Sequence, residues 1–162
     1  MDKAKLIDIF KFLISLFTCQ FAGFIGSLFT TPAIPIWYAC LKKPTFAPPN
    51  SVFGPVWITL FALMGISAFL IWRRGLNDPL IKAALIVFIM QLLFNILWSI
   101  TFFGMKLPLV GLIDIVILWV FILLTIKSFL KISKIAGLLL VPYLLWVSFA
   151  TVLNFFLWRL NI

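Results

Sequence analysis

The chain has 162 residues, 65% of them hydrophobic and only 10% charged, with a mean hydropathy of +1.25 and a formal net charge of +9. An ordinary soluble domain is about half apolar and about a quarter charged, so this composition excludes a water-soluble globule and points to one all-α domain with lipid as its solvent. The basic residues stand mostly at the ends of apolar runs, which sets membrane topology and gives no reason to expect nucleic acid as a partner.

Five apolar runs follow in chain order, approximately residues 6–28, 52–72, 80–103, 108–126 and 135–158. Each is near the ~20 residues a helix needs to cross ~30 Å of hydrocarbon. Runs this long and uniform lack the alternation of a barrel strand, and helices satisfy their own backbone groups in lipid. Residues 1–162 are therefore expected to form a single polytopic bundle of five transmembrane helices. Asp8 and Lys11 interrupt the first run and no small-x-small cleavage site follows it, so it reads as the first helix rather than a leader.

The N-terminus and the second and fourth loops carry Lys3, Lys5, Lys11, Arg73, Arg74, Lys82, Lys127, Lys131 and Lys134. The other side carries Lys42, Lys43, Lys106 and Arg159. In a bacterial plasma membrane, the positive-inside rule would place the N-terminus in the cytoplasm. The two cysteines, Cys19 and Cys40, offer no disulfide framework or metal cluster, and neither metal nor cofactor is expected. Histidine is absent from the sequence, which removes the commonest general base and the commonest haem ligand together.

Residues 29–57, FTTPAIPIWYACLKKPTFAPPNSVFGPVW, hold six of the nine prolines and interleave them with Trp37, Tyr38, Phe46, Phe53 and Trp57. The stretch 29–51 reads as a long first loop held stiff by Pro32, Pro35, Pro44, Pro48 and Pro49, with Pro55 in the first turn of the second helix. Its aromatics fit either an interfacial belt or the roof of a site.

Counted from that loop at ~1.5 Å per residue, Trp57 lies roughly 9 Å down its helix, Asn95 about 12 Å, Asp114 about 9 Å and Ala150 about 12 Å. Trp98 is shallower, Trp146 somewhat deeper, and Gln20 lies at a similar level. Within each helix, residues three, four or seven apart share a face: Gln91, Asn95 and Trp98; Trp57 and Phe61; Trp146, Ala150 and Leu153 or Asn154; Gln20, Gly23 and Ser27. One polar and aromatic layer across five helices suggests a cavity. Gly23, Gly26 and Ser27 read as close helix packing. Asp114 reads as a carboxylate facing the bundle interior, in or beside the site.

Three stretches carry a resemblance: W-Y-x-x-L-x-K-P-x-F-x-P-P-x-x-x-F-x-P-V-W over Trp37–Trp57, Q-L-L-x-N-x-x-W-S with F-F-G over Gln91–Gly104, and P-Y-x-L-W-V-x-F-A-x-x-L-N over Pro142–Asn154. The chain resembles, almost end to end, the translocator protein family, also called the tryptophan-rich sensory or peripheral benzodiazepine receptor family. The resemblance implies a five-helix bundle, usually a homodimer, with a pocket beneath the first loop for flat hydrophobic ligands. Those are porphyrins such as protoporphyrin IX, isoquinoline carboxamide and benzodiazepine drugs, and cholesterol in animal members. Carried over, Tyr38, Pro49, Trp57, Asn95, Trp98, Asp114, Trp146, Ala150 and Leu153 fall on or near family pocket positions; Phe61 is added from spacing.

In such a pocket Asn95 would fix the ligand's orientation, while Lys42 and Lys43 would attract porphyrin propionates or simply anchor the loop at the membrane surface. Without histidine, a metal-free tetrapyrrole is favoured. The sterol motif of animal members needs a tyrosine, and Leu153–Arg159 offers Phe155 and Phe156 instead, which weighs against sterol binding. Three functions stay open: porphyrin binding for tetrapyrrole sensing, transport or homeostasis; light-dependent porphyrin degradation with Trp57 and Trp146 as redox partners; and a membrane scaffold or small-solute transporter in contact with membrane lipid alone.

Overall fold

The computed structural model describes residues 3–162, and among them there is no strand. Helix α1 (Lys3–Ala33) runs on through a π turn at Ile34–Tyr38, and α2 covers Asn50–Trp72. Helix α3 (Pro79–Ser99) is extended by a second π turn, Ile100–Gly104, and α4 covers Pro108–Ile132. Short α5 (Lys134–Leu139) and α6 (Val141–Leu160) together make the fifth span, interrupted where Pro142 has no amide hydrogen to give to the preceding turn. All five spans are long and apolar enough to cross a bilayer.

Helix starts follow local chemistry. Pro79 and Pro108 sit in first turns, where a missing N–H costs nothing. The Asp78 carboxylate accepts from the Leu80 amide at 2.8 Å, and Ser133 caps α5 by accepting from the Ala136 amide.

The expected loop at 29–51 is largely helical, because regular helix resumes after the π turn and continues to Cys40, leaving 41–49 as the connection. Two prolines inside a helix are tolerated here because the backbone shifts register: the Ala39 amide reaches back five residues to the Ile34 carbonyl. Helix α4 likewise runs past the expected end at 126 to Ile132. Lys131 lies in its last turn, where a cation complements the negative end of the helix dipole.

Around the bundle, α1 lies between α2 and α3, α3 packs on α4, α4 on α6, and α5 on α2, so the five spans close into a ring. The α1–α2 seam is tight at the basic end. Phe12 meets Phe69 edge-on at 5.4 Å, Arg73 pairs with Asp8 at 3.1 Å, and a Cβ on Gly65 would stand 2.8 Å from the Leu16 Cα. The Ser67 hydroxyl donates to the Ala136 carbonyl at 2.7 Å and ties α2 to α5. Gly65→Ala should therefore force α1 off α2 and cost roughly 1–3 kcal/mol, the usual penalty for overpacking. A lowered thermal midpoint in detergent reads this; an unchanged midpoint would mean the seam is loose.

A candidate ligand cavity among the first three spans

A cavity of about 580 Å3 lies among α1, α2 and α3 in the half of the bundle nearest the 41–49 connection. Its wall is aromatic. On α2, Trp57 and Phe61 tilt against each other at 5.6 Å, and Trp57 reaches Trp98 of α3 at 6.3 Å. Phe103 joins them because of the second π turn, which widens the helix so that the consecutive residues Phe102 and Phe103 are both buried. Phe102 stacks on Trp98 at 5.5 Å, and the two phenylalanines meet edge-on at 4.8 Å.

Polar groups enter from three helices: Gln20, Ser27 and Thr30 of α1, Asn50 and Ser51 of α2, and Asn95 and Ser99 of α3. No lining residue is charged. Gln20 donates to the Ile58 carbonyl at 3.0 Å, bridging α1 to α2 at the foot of the cavity. Ser27 and Thr30 donate to carbonyls of their own helix, at 2.7 and 3.0 Å, which leaves oxygen lone pairs on the wall. Asn95 donates to the Tyr143 hydroxyl at 2.8 Å, and Trp98 donates its indole hydrogen to Asn154 at 3.1 Å. Among the wall groups with no hydrogen bond to another described residue are the Asn95 carboxamide oxygen and the Trp57 indole N–H, together with the side chains of Thr31, Asn50, Ser51 and Ser99. A few acceptors and donors thus stand along an aromatic wall, the arrangement by which small-molecule sites fix orientation.

Of the expected site residues, the cavity brings together Trp57, Phe61, Asn95 and Trp98. It leaves the other six outside its lining. Tyr38 is buried under Lys43, whose ammonium lies 4.7 Å from the ring centroid, and packs on Phe53 and Phe103. Pro49 ends the connection just before α2. Asp114 is buried on α4, with its Oδ2 lacking a partner among the described residues. Trp146 is half-buried and stands edge-on behind the lining residue Phe53 at 6.2 Å; Ala150 and Leu153 are buried on α6.

This cavity is walled by three of the five helices. Residues 41–49 do not line the cavity; they are drawn toward α6, where the Asn161 carboxamide exchanges two hydrogen bonds with the Lys42 backbone at 2.9 and 3.0 Å and Phe46 packs on Phe149 and Phe156. Lys43 donates to the Ala39 carbonyl, which engages it locally. The small residues of α1, expected to serve close packing, serve both packing and the wall. A Cβ on Gly23 would stand 2.5 Å from the Phe61 ring, and one on Gly26 would stand 2.9 Å from the Ser99 hydroxyl, yet both glycines line the cavity. The spacing of Gln20, Gly23 and Ser27 was the available signal.

By class this is an integral, multi-pass membrane protein of five helices with an uncharged, aromatic-walled cavity among the first three. Residues 15–159 match the TspO/MBR family. The chain belongs to that family. It is 46% identical over 143 residues to the tryptophan-rich protein TspO of Chlorobaculum tepidum, covering 88% of this chain and 90% of that one. It is 36% identical over 140 residues to the human translocator protein, covering 85% and 82%, and 38% identical over 125 residues to the tryptophan-rich sensory protein of Cereibacter sphaeroides, covering 77% of each.

Behind the wall, the Asn154 carboxamide accepts from Trp98 and donates to the Pro108 carbonyl at 2.8 Å. Asn154→Leu keeps the volume but strands a buried indole N–H, at a cost of about 1–3 kcal/mol. A fall in the thermal midpoint larger than that of Thr151→Val, whose hydroxyl bonds only within its own helix, is the expected result.

Proposed function

We propose that this protein binds flat, largely apolar molecules in the α1–α2–α3 cavity, with protoporphyrin IX as the reference ligand, in the service of tetrapyrrole sensing, transport or homeostasis. The observation that carries the reading is the pairing of a broad indole and phenyl wall with a few unpaired polar groups, the Asn95 carboxamide oxygen and the Trp57 indole N–H among them, in a cavity lined by no charged residue. Indole faces offer large contact areas to an aromatic macrocycle, and such polar atoms set its orientation. Burying a carboxylate in uncharged surroundings is costly, so the two propionates stay at the mouth, at the level of Asn50 and Ser51 where α2 begins. The names of relatives, a sensory protein and a translocator protein, agree with a ligand-handling role. On the count of basic residues by side, the cavity occupies the half of the bilayer away from the cytoplasm.

A dark titration of the protein in lipid nanodiscs with protoporphyrin IX, followed by porphyrin absorbance, tests the reading. Saturable binding is expected, weakened about tenfold in Trp57→Ala and in Asn95→Ala, equivalent to ~1.4 kcal/mol each. Trp146→Ala, removed from the wall by Phe53, should bind within about threefold of the parent, under ~0.7 kcal/mol on the same scale. Non-saturable uptake, the same in all four proteins, would mean partitioning into lipid and would end the porphyrin reading.

A further inference from the structure

Resting on that reading, we infer that the ligand passes in and out sideways, from the hydrocarbon between α1 and α2, and that the 41–49 connection is not the door. Two observations on opposite sides of the molecule meet in this inference. The first is the mouth. Phe24 of α1 and Ile58 of α2 both line the cavity, yet they are 56% and 63% exposed. Residues can do both only where the wall between two helices is open. Gly54 also lines the cavity and is exposed, and a Cβ built there meets nothing within 4 Å. At ~1.5 Å per residue, Gly54 and Ile58 lie roughly 6 and 12 Å along α2 from its start, a stretch that belongs to the bilayer and not to bulk water.

The second observation is the connection itself. It is bolted to the far side of the ring by the paired Asn161–Lys42 hydrogen bonds and by Phe46 against Phe149 and Phe156. Releasing it would bare the end of α6, where the cavity is not.

The foot of the mouth is closed by Gln20, whose side chain bridges to the Ile58 carbonyl, and by the Phe61 ring pressed against Gly23. The ligand class this admits is one already dissolved in the membrane: it arrives with its apolar face leading and keeps its polar groups toward the hydroxyl-bearing rim of Thr30, Thr31 and Ser51.

The test uses a reversible plug. Gly54→Cys is made in a Cys40→Ser background, where the remaining thiol, Cys19, is buried and unreactive. The protein in nanodiscs is loaded with protoporphyrin IX, and position 54 is then modified with a bulky methanethiosulfonate reagent that dithiothreitol removes. Dissociation into excess empty nanodiscs is followed by porphyrin fluorescence. The inference expects dissociation slowed at least tenfold by the plug and restored by dithiothreitol, with Asn161→Ala leaving the rate within about twofold of its parent.

Faster dissociation on modification would mean that a group at position 54 displaces the bound ligand rather than barring its exit, and would overturn the inference. So would an unchanged rate on modification, or acceleration by Asn161→Ala. The last two would leave porphyrin binding intact and move the door elsewhere, whereas absence of saturable loading before modification would remove the porphyrin reading and this inference with it.

Discussion

One carboxamide, that of Asn154, receives the indole hydrogen of Trp98 and gives its own to the carbonyl of Pro108, so that α6, α3 and α4 are joined at a single buried point. In hydrocarbon there is no water to take either role, and an unmade bond leaves an uncompensated polar group. The consequence spreads outward. With α3 pinned to α4 and α6, Trp98 turns its ring rather than its N–H to the other side, where Trp57 meets it. The inward faces of α4 and α6 are consumed by this contact, as the close approach of Gly111 to both Phe102 and Asn154 shows. What free volume the bundle keeps lies across from it, beside α1 and α2.

A second layer of organisation comes from the two π turns. Each begins within an apolar stretch near the same end of the bundle, and each presents aromatic rings that an unbroken α-helix would have spread around its circumference. Tyr38 and Trp37 end up against Phe102 and Phe103, so the first and third spans meet through rings whose direction is set by backbone register. The 41–49 connection then leaves from a rigid platform, and its three prolines, Pro44, Pro48 and Pro49, have little left to organise.

The five spans were legible because length and hydropathy alone select them, and four wall residues were legible because polar and indole-bearing side chains are rare in lipid. The rest was hidden for identifiable reasons. A count of residues from a membrane face gives height but not bearing around the ring, so Asp114, Ala150 and Leu153 have the height of the cavity but lie off its lining. Ser27, Thr30 and Gly23 carry no signature that separates a wall from a packing seam, and in this protein they serve as both. Pro32 and Pro35 read as loop under the rules of soluble helices. A neighbour-supported register shift overrides those rules inside a bundle.

The backbone contact between Leu16 and Gly65 gives α1 a fulcrum. Below it the first two spans are held by an ion pair and an aromatic pair; above it α1 continues for some ~25 Å to Ala33, at ~1.5 Å per residue, touching α2 through Gln20 and Gly23 and ending against the rings of the third span. A rod held along its length moves as one body, so a tilt at the fulcrum is passed to the cavity wall and to the third span together. The described part of this span runs 36 residues, Lys3–Tyr38, more than a bilayer of ordinary thickness requires. Its tilt therefore answers to the thickness of the surrounding membrane. The lipid that solvates the protein therefore bears on the shape of the cavity this span walls.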